Sequence, residues 1–125
     1  MVNHIELGKR GEDLAVSHLK KLRYKIIERN YRCNQGEIDV IALDKNILVF
    51  VEVKTRSSNK FGSPLTGITT KKQRQLVKAA IFYLQKHRLF NRDARFDVVA
   101  VEIDSGKERV NLIQNAFEIS PLNRF

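Results

Sequence analysis

The 125-residue sequence is short of several things, and each shortage removes a class of protein. It has one cysteine, Cys33, so it can form no intrachain disulfide and no cysteine-rich zinc site. Apolar runs are short, Ile47-Leu48-Val49-Phe50-Val51 among them, and none approaches the ~20 residues that span a bilayer. Met1–Glu6 contains no apolar h-region, so no signal peptide is expected. The three histidines, His4, His18 and His87, show no metal-ligand spacing. His18 falls on an apolar helix face and is expected to be buried there. There is no Gly-x-Ser-x-Gly, no P-loop and no Gly-x-Gly-x-x-Gly, which removes the common hydrolase and nucleotide-binding signatures. Repeats, low-complexity segments and a detachable basic tail are also missing. The expectation is a single domain over 1–125, cytoplasmic and away from membranes.

Positive charge is plentiful. Twenty-three Lys and Arg against fourteen Asp and Glu leave +9. The basic residues recur along the whole chain, so the field belongs to the folded domain and favours an anionic partner such as nucleic acid. Hydrophobic residues make up 42% of the chain, enough for one core.

Periodicity predicts a helix over 5–22, in which Leu7, Gly11, Leu14, Ala15, Leu19 and Leu22 recur at helical spacing. Strands are predicted over 24–31, 36–43 and 47–55, the last two forming a hairpin around Lys45-Asn46. A loop rich in Ser, Gly and Pro, from Arg56 to Thr69, is expected to border the hairpin's charged end and to order on substrate. A second helix over 71–88, a strand over 96–103 and a strand over 109–118 complete the order α-β-β-β-α-β-β. The fold class is α/β, a mixed sheet flanked by helices.

The hairpin carries the chemistry. A turn at Lys45-Asn46 pairs positions whose numbers sum to 91, so Asp39 faces Glu52 and Glu37 faces Lys54. Alternation places Ile38, Val40, Ala42, Val49, Val51 and Val53 on one apolar face. The other face is apolar near the turn and ends in Glu37, Asp39, Glu52 and Lys54. Two carboxylates ~5 Å apart repel by roughly 3 kcal/mol at an effective dielectric of about 20. Lys54 could offset that, or a divalent cation could, since Mg²⁺ takes carboxylate oxygens. The plainer alternative is a solvated strand end with a surface Glu37–Lys54 pair.

Gly36-Glu37-Ile38-Asp39 followed by Glu52-Val53-Lys54 resembles the acid…(Asp/Glu)-x-Lys signature of restriction-endonuclease-like (PD-(D/E)xK) nucleases. More closely, the chain resembles the YraN-like bacterial family, through Gly8-Lys9-Arg10-Gly11-Glu12, the hairpin, Phe61-Gly62-Ser63-Pro64, Lys71-Lys72-Gln73 and Arg95-Phe96-Asp97-Val98-Val99. The superfamily's first acid often follows proline; here it follows Ile38. The resemblance implies a Mg²⁺- or Mn²⁺-dependent nuclease acting on DNA rather than RNA, or a binding module that has lost catalysis. It implies that Asp39 and Glu52 bind the cation, with the Val53 carbonyl and Glu12 as further ligands, and that Lys54 orients a water or stabilises the phosphate. Two-site cutting would favour a homodimer. Glu12 reads equally as an ordinary helix-border residue. Gly8 and Gly11 could let its helix approach the sheet closely. Gln73 fits a capping box with Thr70 as N-cap, or an accessory place facing the sheet. Arg56, Lys71, Lys72, Arg74 and Lys78 could contact phosphates or merely solvate their elements. Asp97 is expected to be structural and Cys33 a packing residue. A basic adaptor for an acidic protein is a third reading.

Overall fold

The computed structural model describes residues 3–57 and 68–118. Most of the Arg56–Thr69 loop, with the anticipated substrate-ordered segment, therefore lies outside the described residues.

Seven elements follow in the expected order: α1 (His4–Lys21), β1 (Lys25–Cys33), β2 (Gly36–Asp44), β3 (Ile47–Arg56), α2 (Thr70–Lys86), β4 (Ala94–Asp104) and β5 (Lys107–Phe117). They form a mixed five-stranded sheet with the strands in chain order. Neighbours are antiparallel except β3 and β4, which run parallel because α2 carries the chain back between them. No described helix is long and apolar enough to cross a membrane.

Each face of the sheet is covered. α1 packs Ala15, Val16 and Leu19 on Val40, Ala42, Val49, Val51, Val99 and Val101. α2 packs Leu76, Val77, Ala80 and Tyr83 on Ile38, Ile41, Leu48, Phe50 and Phe96. Val40 and Ile41, neighbours in sequence, are both fully buried on opposite faces. Such two-sided burial explains the near-continuous apolar runs of β2, β3 and β4.

Two glycines admit close approaches. A side chain at Gly11 would overlap the Thr55 side chain, so α1 rests there with its backbone against β3. Gly36 has φ of 150° and lies against the Gln75 backbone at the start of β2. Gly8 faces open space, so the anticipated close approach holds at Gly11 alone.

Several local expectations are corrected. The N-cap of α2 is Thr69, whose hydroxyl accepts from Lys72 N–H at 3.1 Å; Thr70 is the first helical residue. Gln73 therefore falls one position too late for a capping box, and its amide donates to the Ile68 carbonyl instead, at 3.2 Å. His18 is half-exposed, because it stands at the edge of α1's buried stripe. Ile38 does not share a face with Val40. It packs in the α2 cluster beside Tyr31, its partner on β1. Between the Arg29–Val40 and Tyr31–Ile38 pairs, Asn30 has φ of 53°, which interrupts the extended backbone of β1. A residue in that region breaks simple alternation.

Candidate functional site

The β2–β3 ladder runs from Asp44–Ile47 to Val40–Val51, in the register whose numbers sum to 91. There it stops. β2 continues beside β1 to Gly36, and β3 continues beside β4 to Arg56. The sheet forks at the rung where Asp39 and Glu52 would have met.

Asp39 sits in the fork. Its Oδ2 accepts the Val53 N–H at 2.8 Å, replacing the backbone bond that the ladder would have supplied. Glu52 is buried, and its carboxyl is within hydrogen-bonding reach of Asp39. Burial pushes the Asp39 carboxyl up to about 7, helped by its hydrogen bond to Glu52 and by the negative charge there; the Val53 N–H and the Lys72 ammonium pull the other way. The Asp39 carboxyl is thus held far above the ordinary carboxylate range.

Lys72 enters from the first turn of α2, its Nζ 3.4 Å from Glu52 Oε2. Of the lysines that could contact phosphates, Lys72 is the one turned toward the sheet: α2 packs on the face where Glu52 lies, and the buried acid draws the ammonium in. Lys71, Arg74 and Lys78 are exposed on α2, while Arg56 is half-buried at the end of β3.

On the α1 side the fork opens into a cleft of about 370 Å³ lined by Gly8, Glu12, Asn30, Glu37, Asp39, Val53, Lys54 and Thr55. Glu12 is held at its edge by Arg29 Nε at 3.1 Å and Asn30 Nδ2 at 2.9 Å. Asp13 points away and binds Arg29 from outside, at 2.6 Å. The expected Glu37–Lys54 pairing is absent because the strands have parted; Glu37 pairs with Arg32 on β1 at 3.7 Å. Lys54 is half-buried and borders the same cleft as Asp39.

Among the described residues, no three His, Cys, Asp or Glu side chains converge as a ready-made metal cage. The donor set fits a lightly held hard cation instead. Asp39 engages one oxygen with Val53, Glu52 offers a second carboxylate beside it, and Mg²⁺ commonly completes its shell with water and substrate phosphate.

A second charged cluster gathers around Asp97 on β4, which pairs with Val51 of β3. Asp97, fully buried, accepts from Arg95 Nε at 2.9 Å, Tyr24 Oη at 2.9 Å and Asn115 N–H at 2.9 Å. Arg95 also donates to Asp44 at 2.7 Å, and these carboxylates hold its guanidinium firmly protonated. The three residues bonded to Asp97 lie on different parts of the chain and are tied together by it, so the cluster is structural, as the strand position of Asp97 implied.

The class defined by this architecture is an α/β domain whose five-stranded mixed sheet splits to hold a partly buried carboxylate pair. Residues 11–101 match the model of the Uncharacterised protein family UPF0102, and the chain belongs to this YraN-like family. It is 48% identical over 114 residues to the UPF0102 protein of Geobacter metallireducens, covering 91% of this chain and 93% of that one. It is 46% identical over 120 residues to the UPF0102 protein of Syntrophus aciditrophicus, covering 96% and 94%. With the UPF0102 protein of Caldicellulosiruptor saccharolyticus it shares 49% over 118 residues, covering 93% and 100%. The matched span includes Glu12, Asp39, Glu52, Lys54 and Lys72.

Proposed function

We propose that this protein is a divalent-cation-dependent phosphodiesterase that cuts DNA, with structured forms such as junctions or flaps as its preferred substrates. The observation that carries the reading is the Asp39–Glu52 pair: two carboxylates brought together in a fork, at a cost in stability, beside an open cleft. Groups arranged against stability in this way are typical of functional sites.

Asp39 and Glu52 would hold Mg²⁺ or Mn²⁺, with the Val53 carbonyl as a further donor. The cation would supply a polarised phosphoryl oxygen and a bound water of lowered pKa. Lys54, on the cleft wall beside Asp39, orients the attacking water and stabilises charge growing on the phosphate. Glu12 presents a second carboxylate across the cleft, steadied by Arg29 and Asn30. Lys71 and Arg74 on the exposed start of α2 hold the nucleic-acid backbone, with Lys78 and Arg56 extending that basic track. A homodimer would allow both strands to be cut.

The test is a cleavage screen over junction, flap, single-stranded, blunt-ended and RNA substrates with Mg²⁺ or Mn²⁺, using Glu52→Ala and EDTA as controls. Cleavage that both controls abolish supports the reading. Cleavage that survives Glu52→Ala removes the site from it. Tight, salt-sensitive DNA binding without cleavage of any substrate would favour a non-catalytic binding module on the same fold.

A further inference from the structure

We infer that Lys72 is a built-in stand-in for the cation: its ammonium neutralises the Asp39–Glu52 pair in the metal-free protein and is displaced when a divalent cation binds. The inference rests on the metal-dependent reading above and adds an internal competitor to it.

Three observations meet at this residue. First, the Glu52 side chain is only 6% exposed, and a buried carboxylate needs a compensating charge. Lys72 is the described cation that reaches it, although Lys54 is two residues away along the same strand. Second, Lys72 stands in the first turn of α2, a turn with no acidic residue. The helix dipole disfavours a cation there, so the helix gains nothing by the lysine's position; the acid pair does.

Third, the contact is built to be released. The molecule contains a permanent buried ion pair for comparison. Arg95 grips Asp97 with two nitrogens, at 2.9 and 3.1 Å, and Asp97 is further fixed by a tyrosine and a backbone N–H. Lys72 makes one contact of 3.4 Å, longer than a charge-assisted hydrogen bond, through a flexible stem whose side chain is 35% exposed. Retracting the ammonium into water gives up this single contact with Glu52. An arriving cation would find one buried and one half-buried carboxylate already side by side, with only a loosely held charge to expel.

The experiment measures Mn²⁺ affinity by calorimetry, and melting temperature with EDTA or Mn²⁺, for wild type, Lys72→Gln, Lys72→Arg and Lys71→Gln. Lys72→Gln should bind Mn²⁺ about fivefold more tightly, the scale of one partly exposed ion pair. It should also melt lower than wild type in EDTA and recover with Mn²⁺. Lys72→Arg, whose fork grips a carboxylate more firmly, should bind Mn²⁺ more weakly than wild type. Lys71→Gln removes the same charge one residue away and should leave affinity within about twofold of wild type. Binding by Lys72→Gln where wild type shows none would be the strongest support. If wild type binds Mn²⁺ and Lys72→Gln and Lys72→Arg bind it equally well, the displacement is wrong and the nuclease reading stands. If no variant binds Mn²⁺ while circular dichroism shows folded protein, the metal-dependent reading falls and takes this inference with it.

Discussion

Asp39 and Asp97 are two aspartates on one sheet with opposite relations to stability. Asp97 is buried and fully partnered, so Asp97→Ala takes from Arg95 one of its two carboxylates and leaves Tyr24 and Asn115 without an acceptor. Such a loss typically costs about 3–5 kcal/mol, and a urea melt should show it. Asp39 is half-buried beside another carboxylate, and Asp39→Asn should leave the fold as stable or more stable while weakening Mn²⁺ binding at least about tenfold. The sign with pH is specific. The carboxyl rises from its ordinary 3.8 to about 7 when folded, so the native state holds a proton that the unfolded chain releases. Asp39 therefore contributes its stability fully below pH 3.8 and loses it as pH climbs to about 7. Melting in EDTA should show the advantage of Asp39→Asn growing from pH 5 to pH 8. Unchanged metal affinity with a large loss of stability would make Asp39 a structural residue.

At the scale of elements, the two ends of the helices give the sharpest tests. Gly11→Ala forces a methyl into Thr55 and should destabilise by about 1–3 kcal/mol, whereas Gly8→Ala, facing open space in the same helix, should stabilise by up to about 1 kcal/mol. Thr69→Ala removes the α2 cap and should cost about 1 kcal/mol, while Thr70→Ala should be close to neutral. Denaturant titrations decide both pairs. All seven elements, their order and the hairpin register were legible in the sequence, because two-residue and 3.6-residue periodicities are strong where both faces of a sheet are covered. Their boundaries moved by at most two residues. The adjacent threonines at 69 and 70 look alike as caps, and only the helix start decides between them. The face change at Ile38 was illegible, since alternation assumes regular strands, and the positive φ of Asn30 on the neighbouring strand is one that Asn tolerates but does not announce.

For the molecule as a whole, the +9 charge and the exposed lysines and arginines of α2 set a measurable expectation. If the proposed DNA contacts exist, affinity should fall steeply between 50 and ~200 mM salt, as each phosphate contact releases condensed counterions. A flat salt response would remove nucleic acid from the reading. The acids of the site could be read from the hairpin because register is a local property. Lys72 could not. Its inward turn depends on α2 crossing the sheet face with its first turn level with Glu52, a tertiary relation that no local pattern encodes. Glu37 and Lys54 misled for the converse reason: extrapolating a ladder assumes that the strands stay together, and here they part.

The parting of the strands also equips the protein with its own pH electrode. The Val53 amide proton bonds to a carboxylate instead of a peptide carbonyl. Its proton and nitrogen resonances must therefore follow the charge on that oxygen, while the amides of Val49 and Val51, in the regular ladder, stay still. In an NMR titration the Val53 peak should move with a midpoint near the value of about 7 to which Asp39 is raised, and should stop moving in Asp39→Asn. Added Mg²⁺ should hold the peak at its high-pH position well below that midpoint, so one backbone resonance would report protonation and metal occupancy without any assay of cleavage.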